Sequence, residues 1–385
     1  MKRLCCLMLA LALSLALFAG CGGKDSSSAG SSSKAEVVPT PEPVVEIQPL
    51  TGEEQDESYI ASRPVAIMIN NRADSRPARG LSEADVLYEI MVEGGITRFL
   101  ALFPDTSFGE VGSVRSARDQ FFQVIFPFQP LYLFVGRSEI TQQFIDVNGY
   151  SDLAVNGMYS TFTHRDQNRI AQGYTYDATA FTSGAEIQSY IDSHGIDMSR
   201  ELTEPIFDFV DCRESPRVLS GQSALDVKVV HSASYRTGFT YDAASGRYLT
   251  SLYTNSEGYT PMIDEANGQQ MAFDNVFVLF AEITTYPYPG GNIDPNTGLD
   301  KGDPDYKKVN YDAGGTGYYI NGGKAEPIHW QKSGIEGSLT FTDESGASVK
   351  VNTGRSYVGI VSQNERSNFE ITGAEPAVSS ASAAE

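Results

Sequence analysis

The first half of the chain carries short apolar segments separated by turn-forming residues. Residues 65–69 form a continuous apolar run that ends at Asn70-Asn71, a pattern typical of a strand buried on both faces. Residues 85–93 and 96–103 instead alternate, with apolar positions repeating along one face of each strand. Gly94-Gly95 lies between them and favours a hairpin. The pattern therefore predicts a sheet in this half.

Helical patterns interrupt these strands. Ser116-Ala117-Arg118-Asp119 has the form of a capping box, and the apolar residues that follow predict a short helix. Further helices are predicted at residues 139–147 and 183–193, and residues 131–135 predict another buried strand. Strands and helices in this order indicate a mixed α/β domain over residues 59–216.

The second half shows almost no helical periodicity. Its short apolar segments alternate with Gly, Asn and Asp turns and predict strands at residues 226–230, 276–283, 317–320, 337–342, 348–351 and 357–361. We therefore expect a β-rich domain over residues 224–370, with a long loop at residues 281–305. Residues 212–223 are poor in apolar side chains and predict a linker. The fold class predicted for the whole chain is α+β.

The N-terminus has the pattern of a secretory signal with a lipidation site. Lys2 and Arg3 precede an uncharged, Leu- and Ala-rich segment, which at about 15 residues is shorter than the roughly 20 that a membrane-spanning helix needs. The segment ends at Phe18-Ala19-Gly20-Cys21, a lipobox. We therefore expect residues 1–20 to be removed and a diacylglyceryl lipid on Cys21 to hold the protein on the extracytoplasmic face of the cell membrane. Plain secretion and an uncleaved anchor are the alternatives.

Two segments have the composition of disordered chain. Residues 21–58 are Ser- and Gly-rich, then Pro-rich, and contain no aromatic side chain. They predict a tether, and residues 371–385 predict a disordered tail. After cleavage and lipidation, Cys212 is the one thiol left in the mature sequence, so no intramolecular disulfide is expected.

The charge of the chain limits its partners. The formal net charge is −21, and removal of residues 1–20 deletes Lys2 and Arg3 but no acid, so the mature charge is −23. Such a chain is repelled by nucleic acid and by anionic headgroups. An anionic partner therefore needs a local basic pocket with fixed donors.

Arginine supplies the candidate pocket. Lysine is absent from residues 35–227, whereas arginine recurs there. Guanidinium forks match carboxylate and phosphate groups, so we expect Arg98, Arg115 and Arg118 to bind an anionic envelope component or a partner protein, with Arg76 at the rim. The alternative is internal pairing, because seven arginines and seven acids lie between Arg63 and Arg118.

Catalytic and metal-binding signals are weak. Glu93 as a general base and Ser116 as a hydroxyl are the candidate catalytic residues, but a structural role for Glu93 at the hairpin and an N-cap role for Ser116 are the favoured interpretations. Residues 59–370 contain no zinc, Ser-x-x-Lys or Gly-x-Ser-x-Gly motif, and the sequence implies no cofactor. A loop containing Asp294, Asn296 and Asp300 has spaced oxygen ligands but departs from the EF-hand pattern.

Several longer motifs resemble those of a known family. The residues that carry the resemblance are 63–71, Arg76-Pro77, 80–85, 93–99 and 112–118, together with Asp264, Asn275-Val276, Trp330, Lys332, Asp343, Gly346 and Gly354. They are similar to the YerB-like lipoproteins, over roughly residues 60–362. The resemblance implies an envelope lipoprotein with paired N- and C-terminal domains of unknown function, and it implies no substrate.

Three functions are consistent with these features. The first is a binding or scaffold lipoprotein that holds an anionic envelope component or a partner protein. The second is an enzyme acting on cell-wall glycan, peptide or a phosphate-containing polymer. The third is the solute-binding component of a transporter, although such proteins have two related α/β lobes and this chain predicts a mixed domain followed by a β-rich one.

Overall fold

The computed structural model describes residues 46–55, 62–199, 205–287 and 305–373. The strands of the first half are Val65–Asn70 (β1), Val86–Met91 (β2), Thr97–Phe103 (β3), Glu110–Gly112 (β4), Leu131–Phe134 (β5), Ala154–Asn156 (β6), His164–Arg165 (β7) and Ala180–Ser183 (β8). The strands of the second half are Gln222–Ser223 (β9), Asp226–Val230 (β10), Arg236–Asp242 (β11), Arg247–Thr254 (β12), Gly258–Pro261 (β13), Ala272–Phe273 (β14), Asn275–Ala281 (β15), Ile283–Thr285 (β16), Lys307–Val309 (β17), Gly315–Asn321 (β18), Lys324–Lys332 (β19), Leu339–Thr342 (β20), Ser356–Ser362 (β21) and Glu370–Thr372 (β22). The α-helices are Asp119–Ile125 (α1), Glu139–Val147 (α2), Gln167–Ala171 (α3) and Gly184–His194 (α4).

A central sheet joins the two halves of the sequence. In the described residues it contains eleven strands, ordered β20-β19-β18-β15-β21-β2-β3-β1-β5-β6, with β9 paired to β19. The junction is the parallel pair of β2 with β21, in which Tyr88 lies opposite Val358. The sequence did not predict this shared sheet. The predicted boundaries at residues 59–216 and 224–370 stay predictions, but strands from both regions form one hydrogen-bonded structure.

The central sheet is covered by hydrophobic side chains on both faces. Tyr88, Ile90 and Leu100 point to one core, while Leu87 and Phe99 point to the other. Strand β2 alternates in sequence, yet five of its six residues are buried. Its polar position, Glu89, is buried as well. Alternation therefore correctly predicted a strand but not the covering of its second face.

A second sheet covers part of the C-terminal half. Its order in the described residues is β13-β12-β11-β10-β22, with β14 paired to β12. Phe239 of β11 and Phe273 of β14 contact Tyr357 of β21. These contacts pack the second sheet against the central one. The structure confirms the α+β fold class, with helices α1–α4 in the first half and a mostly β second half.

Most predicted elements of the first half are present, but the prediction of a capping box at Ser116 is wrong. Helix α2 has the predicted bounds, and the hairpin between β2 and β3 turns at Gly94 and Gly95, both with positive φ. Helix α1, however, starts at Asp119 with Arg118 at the N-cap and no side-chain cap. Ser116 precedes the cap because residues 114–117 continue extended and hydrogen-bond neighbouring strands instead.

The ends of the described chain also differ from the prediction. Residues 46–55 fell within the predicted tether, yet Leu50 is 1% exposed and Ile47 pairs with Glu54. Strand β22 enters the predicted tail and pairs with β10. The signal segment, Cys21 and the rest of the tether lie outside the described residues. Within the described ranges, no helix has the length and apolar character needed to cross a bilayer.

Candidate arginine-rich binding site

Three of the four predicted ligand-binding arginines lie near one another. Arg98 is the second residue of β3 and faces the core that contains Leu100. Arg115 and Arg118 lie on the extended segment between β4 and α1, which hydrogen-bonds β1 through the Arg115 amide and the Met68 carbonyl at 2.8 Å. Strand pairing therefore places residues distant in sequence at the same end of the sheet.

Glu93 connects Arg98 and Arg118. The Arg98 Nη2 atom donates to Glu93 Oε1 at 3.0 Å, and Arg118 Nε donates to Glu93 Oε2 at 2.9 Å. A second Arg118 nitrogen, Nη2, also donates to Glu93 Oε1. Arg98 is 2% exposed and Arg118 is 7% exposed. Two buried guanidinium groups therefore share one carboxylate, which matches the alternative of internal pairing for these two side chains.

Glu93, Arg98 and Arg118 form a triad in which two positive charges face one negative charge. Burial, and then the neighbouring charge of Arg118, lower the pKa of Arg98 to about 9, although Glu93 opposes them. Burial raises the pKa of Glu93, but the hydrogen bond from Arg118 and the charges of both arginines outweigh it and bring the pKa to about 2. Glu93 thus stays ionised, and Arg98 is held charged against a desolvation penalty.

Arg115 is the accessible member of the group. Its Nη2 donates to Asp177 Oδ2 at 2.6 Å, and the two side chains are 21% and 45% exposed. The Arg115 Nε and the Ser113 hydroxyl are buried and have no hydrogen-bond partner among the described residues. Arg115 therefore has a partly exposed guanidinium, although its unpartnered Nε atom is itself buried.

Arg76 makes its contacts with Asn71 and with the second half of the chain. Its Nε and Nη2 donate to the Asn71 side-chain and backbone oxygens, both at 3.1 Å, and Nη1 donates to the Tyr253 carbonyl at 3.3 Å. Its guanidinium also lies 5.6 Å from the Tyr235 ring centre. Arg76 therefore connects Asn71 to the second half of the chain and makes no hydrogen bond to Glu93 or Asp177 among the described residues, so its place at the rim of the arginine group stays a prediction.

The two candidate catalytic residues are not coupled. Both oxygens of Glu93 accept hydrogen bonds from arginine, and no hydrogen bond in the described part of the chain joins Glu93 to the Ser116 hydroxyl. Ser116 contributes its backbone carbonyl, which accepts from Arg98 Nη1 at 2.8 Å. A carboxylate held by two guanidinium groups is a poor proton acceptor, so this geometry favours the structural role predicted as the alternative for Glu93.

A buried polar cluster around Glu89 was not predicted as a site. One carboxylate oxygen accepts from Thr97 Oγ1 at 2.6 Å and Asn71 Nδ2 at 3.2 Å, and the other accepts from Thr237 Oγ1 at 2.6 Å and the Tyr357 hydroxyl at 2.7 Å. His231 Nε2 lies 3.5 Å away. The cluster takes Asn71 and Thr97 from the first half and the other partners from the second. The sequence signal was a lone acid inside an otherwise buried strand.

The described residues contain no group of three or more His, Cys, Asp or Glu side chains able to hold a metal ion. Asp294, Asn296 and Asp300 lie outside the described residues. The free thiol of Cys212 is half-buried.

Comparisons with known proteins place the chain in a family. Residues 50–197 match the N-terminal domain, and residues 225–358 the C-terminal domain, of the family described as "Protein of unknown function (DUF3048)". The "Putative lipoprotein YerB" of Bacillus subtilis (strain 168) is 28% identical over 239 residues, which cover 60% of this chain and 66% of that protein. The crystal structure of YerB protein from Bacillus subtilis aligns with a TM-score of 0.67 at 23% identity, over 85% of this chain and 99% of that one. The resemblance read from the sequence motifs is confirmed, and the chain belongs to the YerB-like lipoprotein family, whose paired domains have no established function.

Proposed function

We propose that this lipoprotein is a binding module whose first domain holds an anionic group of an envelope component at Arg115. The observation that carries the proposal is the charge imbalance beside this side chain. Arg98 and Arg118 share the single carboxylate of Glu93, and Arg115 adds a third guanidinium that pairs with the half-exposed Asp177. Three cations therefore have two carboxylate partners. Asp119, the next acid, accepts from the Tyr286 hydroxyl and pairs with none of the three.

The net charge of the chain restricts anion binding to sites with fixed donors. A mature chain at −23 repels anions in general, so an anion is retained only where fixed donors oppose the field. The Arg115 guanidinium offers planar donors on a rigid strand-paired segment, and the triad behind it supplies additional positive charge. The proposed site therefore uses one arginine to contact the anion, whereas the sequence predicted a pocket of four.

Binding is favoured over the alternative functions. Hydrolysis of a glycan, peptide or phosphate polymer needs a carboxylate or other base free to take a proton, and Glu93 is fully engaged by arginine. A transporter component would need two related lobes, whereas one sheet runs through both halves of this chain. A scaffold that holds a partner protein through an acidic segment uses the same Arg115 chemistry.

Inorganic phosphate is the simplest probe of the proposal. We expect phosphate to bind the full chain in detergent, as measured by isothermal titration calorimetry. Arg115→Ala should weaken binding by about 1 to 3 kcal/mol, roughly 5- to 150-fold, because a charge-assisted hydrogen bond is lost. The fold should survive, since a half-exposed ion pair contributes only about 0 to 1 kcal/mol to stability.

Arg165→Ala is a matched control, because this half-buried arginine contacts Tyr176 and not the triad. It should bind phosphate as the parent does. Absence of phosphate binding to the parent, or equal binding by the parent and Arg115→Ala, would contradict the proposal.

Membrane anchoring through Cys21 is a separate prediction. The lipobox cysteine is the acceptor for the lipid that we expect to hold the secreted chain at the membrane, because the segment before it is too short to span a bilayer. Cys21→Ser should therefore move the folded protein from the membrane pellet to the soluble fraction. Fractionation after a carbonate wash measures this, and a variant that stays in the pellet would rule out the lipid anchor.

A further inference from the structure

A cavity of about 830 Å³ lies beside β6, the edge strand of the central sheet, well within the usual size range for ligand pockets. Its walls come from β6 and the segments on either side of it, from α2 and the residues before it, and from the C-terminal end of α4 and the residues after it. Neither the triad nor Arg115 lines it. The cavity is therefore a candidate site separate from the one proposed above.

Two tyrosines give the cavity aromatic walls. Tyr159 lines it and is 81% exposed, so its ring is open to a ligand. Tyr190 is held rigidly, because its ring stacks on His194 with centres 3.9 Å apart and meets the edge of Phe162 at 5.8 Å. A rigid ring and an exposed ring provide flat surfaces at low entropic cost to binding.

Asn156 supplies an oriented donor. Its Oδ1 accepts from the Gly136 amide at 2.9 Å and from the Met158 amide at 3.1 Å, so the side-chain amide cannot flip without losing both bonds. The Nδ2 group makes no hydrogen bond within the described part of the chain. It is thus a preorganised donor on the cavity wall.

Side chains of opposite charge line the cavity without forming an ion pair with each other. Arg137 and Asp152 are both exposed, and neither forms an ion pair or a side-chain hydrogen bond with any described residue. Arg63 and Asp197 also contribute to the lining, and Arg63 Nε donates to the Asp197 carbonyl at 3.1 Å. The lining therefore offers both donors and acceptors with no excess charge, which suits a ligand rich in hydroxyl groups.

We propose that this cavity binds a β-linked hexose or N-acetylhexosamine oligosaccharide. The C–H face of a sugar ring packs on Tyr159, since the partial positive charge of C–H groups meets the negative face of an aromatic ring. Asn156 Nδ2 donates to a ring substituent, and Arg137 and Asp152 bond hydroxyls as donor and acceptor. The inference goes beyond anion binding at Arg115, and it adds a glycan as a ligand of this lipoprotein.

The test uses chitotetraose and cellotetraose as probes, with tetra-alanine as a peptide comparison. Calorimetry on the full chain in detergent should detect at least one oligosaccharide. Tyr159→Ala and Arg137→Ala should each weaken that binding by tenfold or more. Both side chains are exposed, so thermal melting of the variants should match the parent.

Tyr176→Ala is the matched control, because Tyr176 is 68% exposed and does not line the cavity. It should bind sugar as the parent does. The proposal is overturned if neither oligosaccharide binds, if Tyr159→Ala and Arg137→Ala bind as tightly as Tyr176→Ala, or if tetra-alanine binds more tightly than both sugars. Phosphate binding at Arg115 is measured separately, so the two proposals fail independently.

Discussion

Glu89→Ala should lower the free energy of unfolding by roughly 3 to 5 kcal/mol. The carboxylate is 1% exposed and is the common acceptor for Thr97, Asn71, Thr237 and Tyr357. Its removal leaves these donors buried without an acceptor, and each unsatisfied group costs about 1 to 3 kcal/mol before relaxation. Urea unfolding monitored by circular dichroism measures the change.

Glu257→Ala is the control for this experiment, because Glu257 is exposed and its side chain makes no hydrogen bond within the described residues. Its stability should lie within about 0.5 kcal/mol of the parent. If Glu89→Ala is as stable as Glu257→Ala, the cluster does not hold the two halves together.

The same carboxylate sets a pH dependence. Burial raises the pKa of Glu89, but the charge and hydrogen bond of His231 and the bonds from Thr237 and Thr97 outweigh it and lower the pKa to about 2. A lowered folded pKa means that its contribution is fully present above pH 4.5 and is lost as the pH falls toward 2. The parent should therefore lose stability over that interval more steeply than Glu89→Gln.

Glu93→Ala should destabilise the protein by roughly 3 to 5 kcal/mol, because it leaves Arg98 and Arg118 buried with no carboxylate between them. Arg98→Ala should cost less, since Glu93 keeps its two bonds from Arg118. Thermal melting of both variants gives this order. A Glu93→Ala variant that melts close to the parent would show that Glu93 is not needed to neutralise the arginines, and the structural role assigned to it would be wrong.

The parts of the fold that the sequence predicted are those decided by local pattern. Helix α2 and strand β10 have the bounds that their periodicity predicts, because each buries one consistent set of apolar positions. The strand predicted at residues 348–351 forms only isolated bridges, and strands β11 and β12 were not predicted because polar residues interrupt them. The pairing of β2 with β21 joins residues about 270 apart, which no local pattern encodes.

The sequence indicated which type of residue forms the candidate site, but not which contacts these residues make. The run of arginines without lysine drew attention to Arg98, Arg115 and Arg118, which lie near one another, but their role in binding stays a prediction. Which arginine is buried and which is accessible depends on strand pairing across the sheet, so the sequence could not separate Arg98 from Arg115. The cluster of Glu89, Thr237 and Tyr357 was missed because its members come from both halves.

The most direct test of anion binding is the NMR signal of the Arg115 Nε–H group, which has no acceptor among the described residues. A spectrum of the arginine Nε–H groups of the full chain, assigned with Arg115→Ala, would be followed as inorganic phosphate is added. We predict a saturable shift of the Arg115 signal with little change at Arg165. An Arg115 signal that stays fixed, or that drifts linearly together with those of all exposed arginines, would contradict a specific anion site.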